Sequence, residues 1–431
     1  MQRALQRTLT VATIPQPGEQ ISLQQAVQTA IEKNYQIQIT RAEQEIARNN
    51  YDRGAAGYLP IVTGNFTSNG SLQNINQTFL QNLRPPQEIR GAFNRTNTVG
   101  LNATYNILDF DRGLNYNRLG ELVRFSEVTT RANMEATAAS VTSTYYDVIR
   151  QLQRLIAFRQ ALSISRERLE LARANYEVGT RSRVDYLSAQ VDYNADSAAL
   201  VAQEQSLRNA KIVLNTLMVR EPLTEFAVRD TILVRTDLQL EPLRQAVSNN
   251  PLLVQAVLNR RLADIDVRIA RAQQLPQVGI TTGYNQTFIN NQGGFGVATA
   301  HNRGLTYSLT AAVPIFNGYN LRRQINNAKI NTQIAERQEL DQRLQLVSAL
   351  EQTFTQYQNS LTLLNLEVQN FNIARQNVDI AFERYRVGNS TAVEFRDVQR
   401  NAVAAETRLI DAEYNAKVAE IELLRLTSTI F

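Results

Sequence analysis

The chain has 431 residues, with no cysteine, no tryptophan and a single histidine. The lack of cysteine excludes disulfides, thiolate metal sites and a cysteine nucleophile within this sequence, and no lipid anchor on an N-terminal cysteine is expected for it. The one histidine, His301, lies in a Gly-rich stretch and reads as a solvated loop residue. No metal-ligand spacing, phosphate loop or nucleophile motif is present, so neither a metal nor a cofactor is expected. Asp264 and Asp266 stand two apart and cannot share a helix face. Asp109 and Asp111 sit where a strand pattern gives way to a helix pattern, and read as helix caps rather than catalysts. The chain is not expected to be an enzyme. Its net charge of +5 comes without a Lys/Arg block, which argues against nucleic-acid binding. No apolar run approaches the ~20 residues of a spanning helix. The opening "MQRALQRTLTVATIPQPGEQ" lacks an apolar core, so no signal peptide is visible in this sequence.

What is present is a repeat. "YEVGTRSRVDYLSAQ" (Tyr176–Gln190) returns as "YRVGNSTAVEFRDVQ" (Tyr385–Gln399), 209 residues later. Leu59-Pro60 returns as Leu275-Pro276, and "AIEKN" (Ala30–Asn34) as "AVSNN" (Ala246–Asn250). Two copies of one unit are therefore expected. Residues 1–20 read as an N-terminal extension and 21–219 as the first repeat. Residues 220–239 form a linker, and 240–431 the second repeat. Each repeat reads helix, two strands, long helix, interruption, helix. From Arg112 to Glu177 there is no proline, and the only glycines are Gly113 and Gly120. Such a stretch is roughly 100 Å long if fully helical. Tyr319 to Arg386 behaves alike. Apolar or small residues at Phe395, Val398, Ala402, Ala405, Leu409 and Ala412 step by three and four, the mark of a coiled coil or helical barrel. Gly179 and Gly388 interrupt these stretches and suit helix C-termini. Ser182, and Ser390 or Thr391, are candidate caps for the next helix. Each interruption thus reads as a hairpin tip. The helix before the strands and the helix after the tip each span about half a long helix. Placed end to end, the two halves match its length.

Strands are expected at about 60–75, 96–108, 277–290 and 304–315. In "TVGLNATYNI", Val99, Leu101, Ala103, Tyr105 and Ile107 alternate with Thr and Asn. In "LTYSLTAAVPI", Leu305, Tyr307, Leu309 and Ala311 do the same. No Asp, Glu, Lys or Arg occurs in 61–83, 96–108, 272–302 or 304–321. One apolar face and one uncharged polar face is the pattern of a transmembrane β-barrel. A soluble β module on a coiled-coil scaffold is the alternative. Four strands cannot close a barrel, and an open edge in lipid leaves backbone groups unpaired. Three copies would supply twelve.

On the repeat, the two Leu-Pro entries, the "NGYNLRRQINNAK" helix start and the "Y-x-V-G-x-x-x-x-V-[DE]" tips, nearly the whole chain resembles the TolC-like outer-membrane efflux protein family. The resemblance implies an α+β membrane protein, a homotrimer with a twelve-stranded β-barrel continued by a long periplasmic α-helical barrel. It implies an exit duct in the outer membrane of a Gram-negative-type bacterium, with most of its mass in the periplasm. The implied partners are a periplasmic adaptor protein and an inner-membrane pump or ABC transporter. Glu394 and Asp397, three apart on one helix face, match an acidic pore constriction; a solvated helix start is the other reading. Asp185 and Tyr385 match positions proposed to latch neighbouring tips. The family's arginine two residues past the second-tip glycine is Ser390 here, and Arg181 holds that place in the first tip. Val178, Gly179, Thr180, Val387, Gly388 and Asn389 are the expected adaptor-docking residues. Without tryptophan, Tyr and Phe would have to form the aromatic girdle.

Overall fold

A computed structural model describes residues 18–78, 85–293 and 297–430. Most of the expected extension, 1–17, lies outside them. The chain divides into two compact units. The first takes in the described residues of Met1–Gln44, Ser126–Val257 and Gln338–Phe431; the second is Glu45–Phe125 and Leu258–Arg337.

The element order is β1 (Glu19–Gln20), α1 (Leu23–Lys33), α2 (Tyr35–Asn50), β2 (Ile61–Gln77), β3 (Gln87–Leu108), α3 (Arg112–Glu177), α4 (Arg183–Leu217) and β4 (Phe226–Ala227). Then come α5 (Leu240–Ala246), a 3-10 turn, α6 (Pro251–Ala272), β5 (Gln277–Asn291), β6 (Thr299–Ala312), α7 (Asn320–Arg386) and α8 (Ala392–Leu426). Among the described residues, no helix is long and apolar enough to cross a membrane.

In the first unit, α8 lies antiparallel to α3. Gln399 donates to Ala161 O and Ser165 Oγ, Arg154 pairs with Asp411, Gln153 donates to Glu413, and Lys417 stands over the Tyr146 ring. One apolar core gathers Ala26, Ala30, Tyr145, Ile149, Leu214 and Phe226. A second gathers Leu243, Leu253, Leu350, Tyr357 and Leu423. β1 pairs in parallel with β4 and ties the described start of the chain to the linker.

The helices expected to run unbroken before the strands are each interrupted. Asn34 (φ −60°, ψ 126°) separates α1 from α2, and Asn250 (φ −61°, ψ 128°) precedes α6. Asn34 Oδ1 accepts from Gln36 N (2.9 Å) and Ile37 N (3.4 Å), which caps α2. Its Nδ2 donates to the carbonyl of Leu217, the last residue of α4, at 3.5 Å. Asn250 Oδ1 accepts from Leu252 N (2.9 Å), while its Nδ2 donates to Leu426 O, the end of α8, at 3.0 Å. One amide side chain thus satisfies the orphan donors at one helix start and an orphan carbonyl at another helix end. At two places 216 residues apart, it links the start of a shorter helix (16 residues in α2, 22 in α6) to the end of a 35-residue one.

In the second unit, β2-β3-β5-β6 form one antiparallel sheet with β2 and β6 at its edges. Leu101 faces Tyr284, which faces Leu305; Tyr105 faces Ile280, which faces Leu309. These residues share one face. It is largely uncovered: Leu101 is 63%, Leu305 71% and Tyr307 82% exposed. The opposite face carries Thr98, Thr287, Asn65, Asn102 and Asn285. Asn102 Nδ2 donates to Asn65 Oδ1 (2.7 Å), and Asn285 Nδ2 to Asn102 Oδ1 (3.4 Å). These amides lie flat over glycines. A Cβ at Gly100 would meet Asn285 Oδ1 at 1.7 Å, and one at Gly283 would meet Asn102 Oδ1 at 2.0 Å. Strand lengths differ from expectation. β3 begins at Gln87 rather than near 96, and pairs with β2 out to Gln77. β6 begins at Thr299 and ends at Ala312, before Pro314, which lacks an N–H for the ladder.

Candidate functional site

Each tip is a helix end followed at once by a helix start. At the first, Thr180 N donates to Asn175 O (2.9 Å) and Gly179 N to Tyr176 O (3.0 Å), with Gly179 at φ +75°. At the second, Asn389 N donates to Arg384 O (2.8 Å) and Gly388 N to Tyr385 O (3.1 Å), with Gly388 at φ +82°. Both are Schellman closures, and the left-handed residue is glycine because a Cβ would clash with the following carbonyl. Ser182 then caps α4, accepting from Asp185 N at 3.2 Å. Thr391, not Ser390, caps α8. It forms a full capping box in which Thr391 Oγ1 accepts from Glu394 N and Glu394 Oε2 accepts from Thr391 N, both at 3.2 Å.

The structure separates the expected site residues into two sets. Val178 (72% exposed) and Val387 (64%) project into solvent, and Gly179, Thr180, Gly388 and Asn389 are also exposed. Nothing lies within 4 Å of a Cβ built on either tip glycine. Glu394 and Asp397 are exposed on the first turns of α8, one of them engaged in its own helix cap. Tyr385 is different: it is buried, stacked on Phe395 at 5.6 Å, with the Arg181 guanidinium 5.7 Å from its ring. Burial pushes the Tyr385 phenol up, with nearby Arg168 and Arg181 opposing and Asp185 adding to the rise. Tyr385, Asp185 and Arg181 therefore come together, whereas Glu394 and Asp397 face solvent. The first tip has a matching ring pair, Tyr176 on Tyr186 at 6.0 Å and nearly parallel.

Beneath the tips lies an ionic network that sequence reasoning missed. Arg396 on α8 grips Asp196 on α4 with both terminal nitrogens, at 2.8 and 2.9 Å, and reaches Asp192 at 3.4 Å. Arg168 on α3, almost fully buried, pairs with Asp192. Ser165 donates to Asp196 and accepts from Gln399. Three helices from both halves of the sequence are joined through one two-pronged pair. Gln399 was visible as the repeat partner of Gln190. Its role was not, because its contacts with Ala161 and Ser165 lie more than 230 residues away.

Among the described residues no group of acidic, His or Cys side chains could hold a metal ion. What the geometry offers is a wall and a rim: an amphipathic sheet with an uncovered apolar face, carried in one chain with long helices that turn at exposed tips. That combination is the pattern of an outer-membrane channel protein. The family model described as "Outer membrane efflux protein" matches residues 26–218 and 243–429, and the chain belongs to that family. It is similar to the outer membrane protein TolC of Escherichia coli K12, 22% identical over 357 residues that cover 80% of this chain and 72% of that protein. It is also similar to the outer membrane efflux protein BepC of Brucella suis, 23% identical over 433 residues that cover 99% and 86%. The outer-membrane channel OprN superposes with a TM-score of 0.78 at 17% identity, covering 98% of this chain and 96% of that one. The family comprises outer-membrane channel proteins rather than enzymes, and the soluble-scaffold alternative falls.

Proposed function

We propose that three copies of this chain assemble into an exit duct across the outer membrane. Twelve strands close a barrel, and the helices form a tunnel in the periplasm. The observation that carries this reading is the sheet: its apolar face is uncovered, its other face is uncharged, and both edge strands are open. Lipid tolerates no open edge, so β6 of one copy must pair with β2 of the next. The matching element order of the two halves, with spliced helices and Schellman tips in each, supports two internal repeats and six nearly alike tips per trimer. Those tips dock a periplasmic adaptor, which links the duct to an inner-membrane pump or ABC transporter. Val178, Gly179, Thr180, Val387, Gly388 and Asn389 form the contact. Glu394 and Asp397 from three copies ring the narrow end and favour cations, while Tyr385 with Asp185 and Arg181 holds neighbouring tips together.

The test is planar-bilayer conductance of the purified protein, with native mass spectrometry in detergent. Discrete steps from a trimer are expected. A stable monomer that still inserts and conducts would overturn the assembly, and a trimer without conductance would overturn the duct.

A further inference from the structure

Acidic and basic side chains are rare in the sheet, and their positions are specific. Among the described strand residues they are Glu88, Arg90, Arg95, His301 and Arg303. Glu88 and Arg90 pair with each other at 2.8 Å. That leaves two exposed arginines, Arg95 and Arg303, and neither reaches an acid among the described residues. The register fixes their face. Arg303 is two residues from Leu305 on β6 and opposite Gln286; Gln286 is opposite Val99, and Arg95 lies four residues from Val99 on β3. Both arginines therefore stand on the apolar face, with Leu101, Tyr284 and Tyr307. His301 shares that face, its ring stacked on Phe288 at 4.4 Å.

Their height is equally definite. Arg303 is nine residues from the end of β6 at Ala312, and Arg95 is thirteen from the end of β3 at Leu108. At about 3.3 Å per residue and a tilt near 40°, these spacings correspond to roughly 23 and 33 Å above the strand roots. The apolar band of an outer-membrane barrel is about 25 Å tall. The first unpaired charges on the apolar face thus fall at its far margin and just beyond it.

We propose that Arg95 and Arg303, with His301 beside them, bind the phosphate groups of lipid headgroups in the leaflet remote from the helices. This rests on the barrel reading above. A guanidinium meets a phosphate with two parallel hydrogen bonds, and its aliphatic stem can lie along apolar surface while its head reaches water. Arginines on the uncharged polar face would instead meet whatever passes through the duct. Inorganic phosphate shares the headgroup's chemistry but has no acyl chain to lie along Leu305 and Tyr307. A trimer would carry six such arginines around its rim.

Native mass spectrometry of the detergent-purified protein tests this, with bisphosphorylated lipid A and its dephosphorylated form as probes. The R95S/R303S variant should retain phosphorylated lipid A about tenfold less well than wild type. The dephosphorylated form should bind both proteins alike, and millimolar inorganic phosphate should displace little lipid. R95K/R303K should keep part of the binding, since a point charge remains without the fork. Equal retention of phosphorylated lipid A by wild type and R95S/R303S overturns the proposal. So does full displacement by inorganic phosphate, which would assign the site to the free anion. Failure of the barrel reading has a separate signature, the absence of single-channel steps from wild type. A conducting R95S/R303S trimer with unchanged lipid binding overturns the lipid site alone.

Discussion

Glu413 gives the sharpest quantitative test of the helical packing. It sits on α8 in the seam with α3, in a stripe of polar residues at seven-residue steps: Gln399, Glu406, Glu413 and Glu420. Burial pushes the Glu413 carboxyl up to about 7, against 4.5 ordinarily, and only a hydrogen bond from Gln153 opposes the rise. Because the folded value lies above the unfolded one, folding favours the protonated acid. That contribution is intact below about pH 4.5 and is lost as the pH climbs through 7. The resulting penalty is about 3 kcal/mol at pH 8 and below about 1 kcal/mol at pH 5. Glu413→Gln removes it. The new amide can also donate to Gln153 Oε1, a buried acceptor that now has no partner. With an unfolding entropy of about 2.1 cal/mol/K per residue, the gain at pH 8 is a rise of about 3–4 °C in the melting midpoint. Circular-dichroism melts of the detergent-solubilised protein at the two pH values measure it. An equal shift at both, or none at pH 8, would refute a desolvated carboxyl without a charged partner.

Charge removal with shape retained separates the two readings of the α8 start. In E394Q/D397N the reversal potential across a KCl gradient should move toward non-selectivity, and an unchanged potential would leave these groups as helix-start residues only. Gly388→Leu places a side chain in open solvent at a left-handed position, costing about 1–2 kcal/mol. Pull-down of the adaptor should be lost while the trimer persists; normal pull-down would move docking away from the tips. Arg396→Ala strands Asp196 among buried neighbours and should destabilise the folded chain by about 3–5 kcal/mol, read by denaturant titration. A loss under about 1 kcal/mol would mean that water replaces the guanidinium.

Much of this fold could be read because its signals are local. Alternation of Leu305, Tyr307 and Leu309 with Thr306 and Ser308 fixes a strand and its faces within a few residues. A lone glycine in a long helical pattern, followed three residues on by serine or threonine, fixes a tip. The start of β3 was hidden because Arg90, Gly91 and Arg95 look like loop chemistry. There, pairing with β2 overrides the residues' own preferences. The breaks at Asn34 and Asn250 were hidden because one extended residue barely disturbs a helical period. The only hint was that "AIEKN" returns as "AVSNN", and a repeat does not say what it is for. The Arg396 network was beyond reach: Arg396 and Asp196 are 200 residues apart, and no spacing rule links them. For Glu394, Asp397, Asp185 and Tyr385, type and spacing were legible. That Tyr385 is buried while Glu394 is half-committed to its own cap depends on three-dimensional neighbours.

The asparagine splices have a mechanical consequence. Along α3, tension and torsion pass through covalent bonds for 66 residues without interruption. Where α4 gives way to α2, and α8 to α6, no covalent bond crosses the junction, which is held by the asparagine amide and the apolar packing around it. Each half of the chain thus pairs a continuous strut with a jointed one. A twist imposed at the tips would therefore meet an unbroken backbone along one strut and a non-covalent joint at Asn34 or Asn250 along the other.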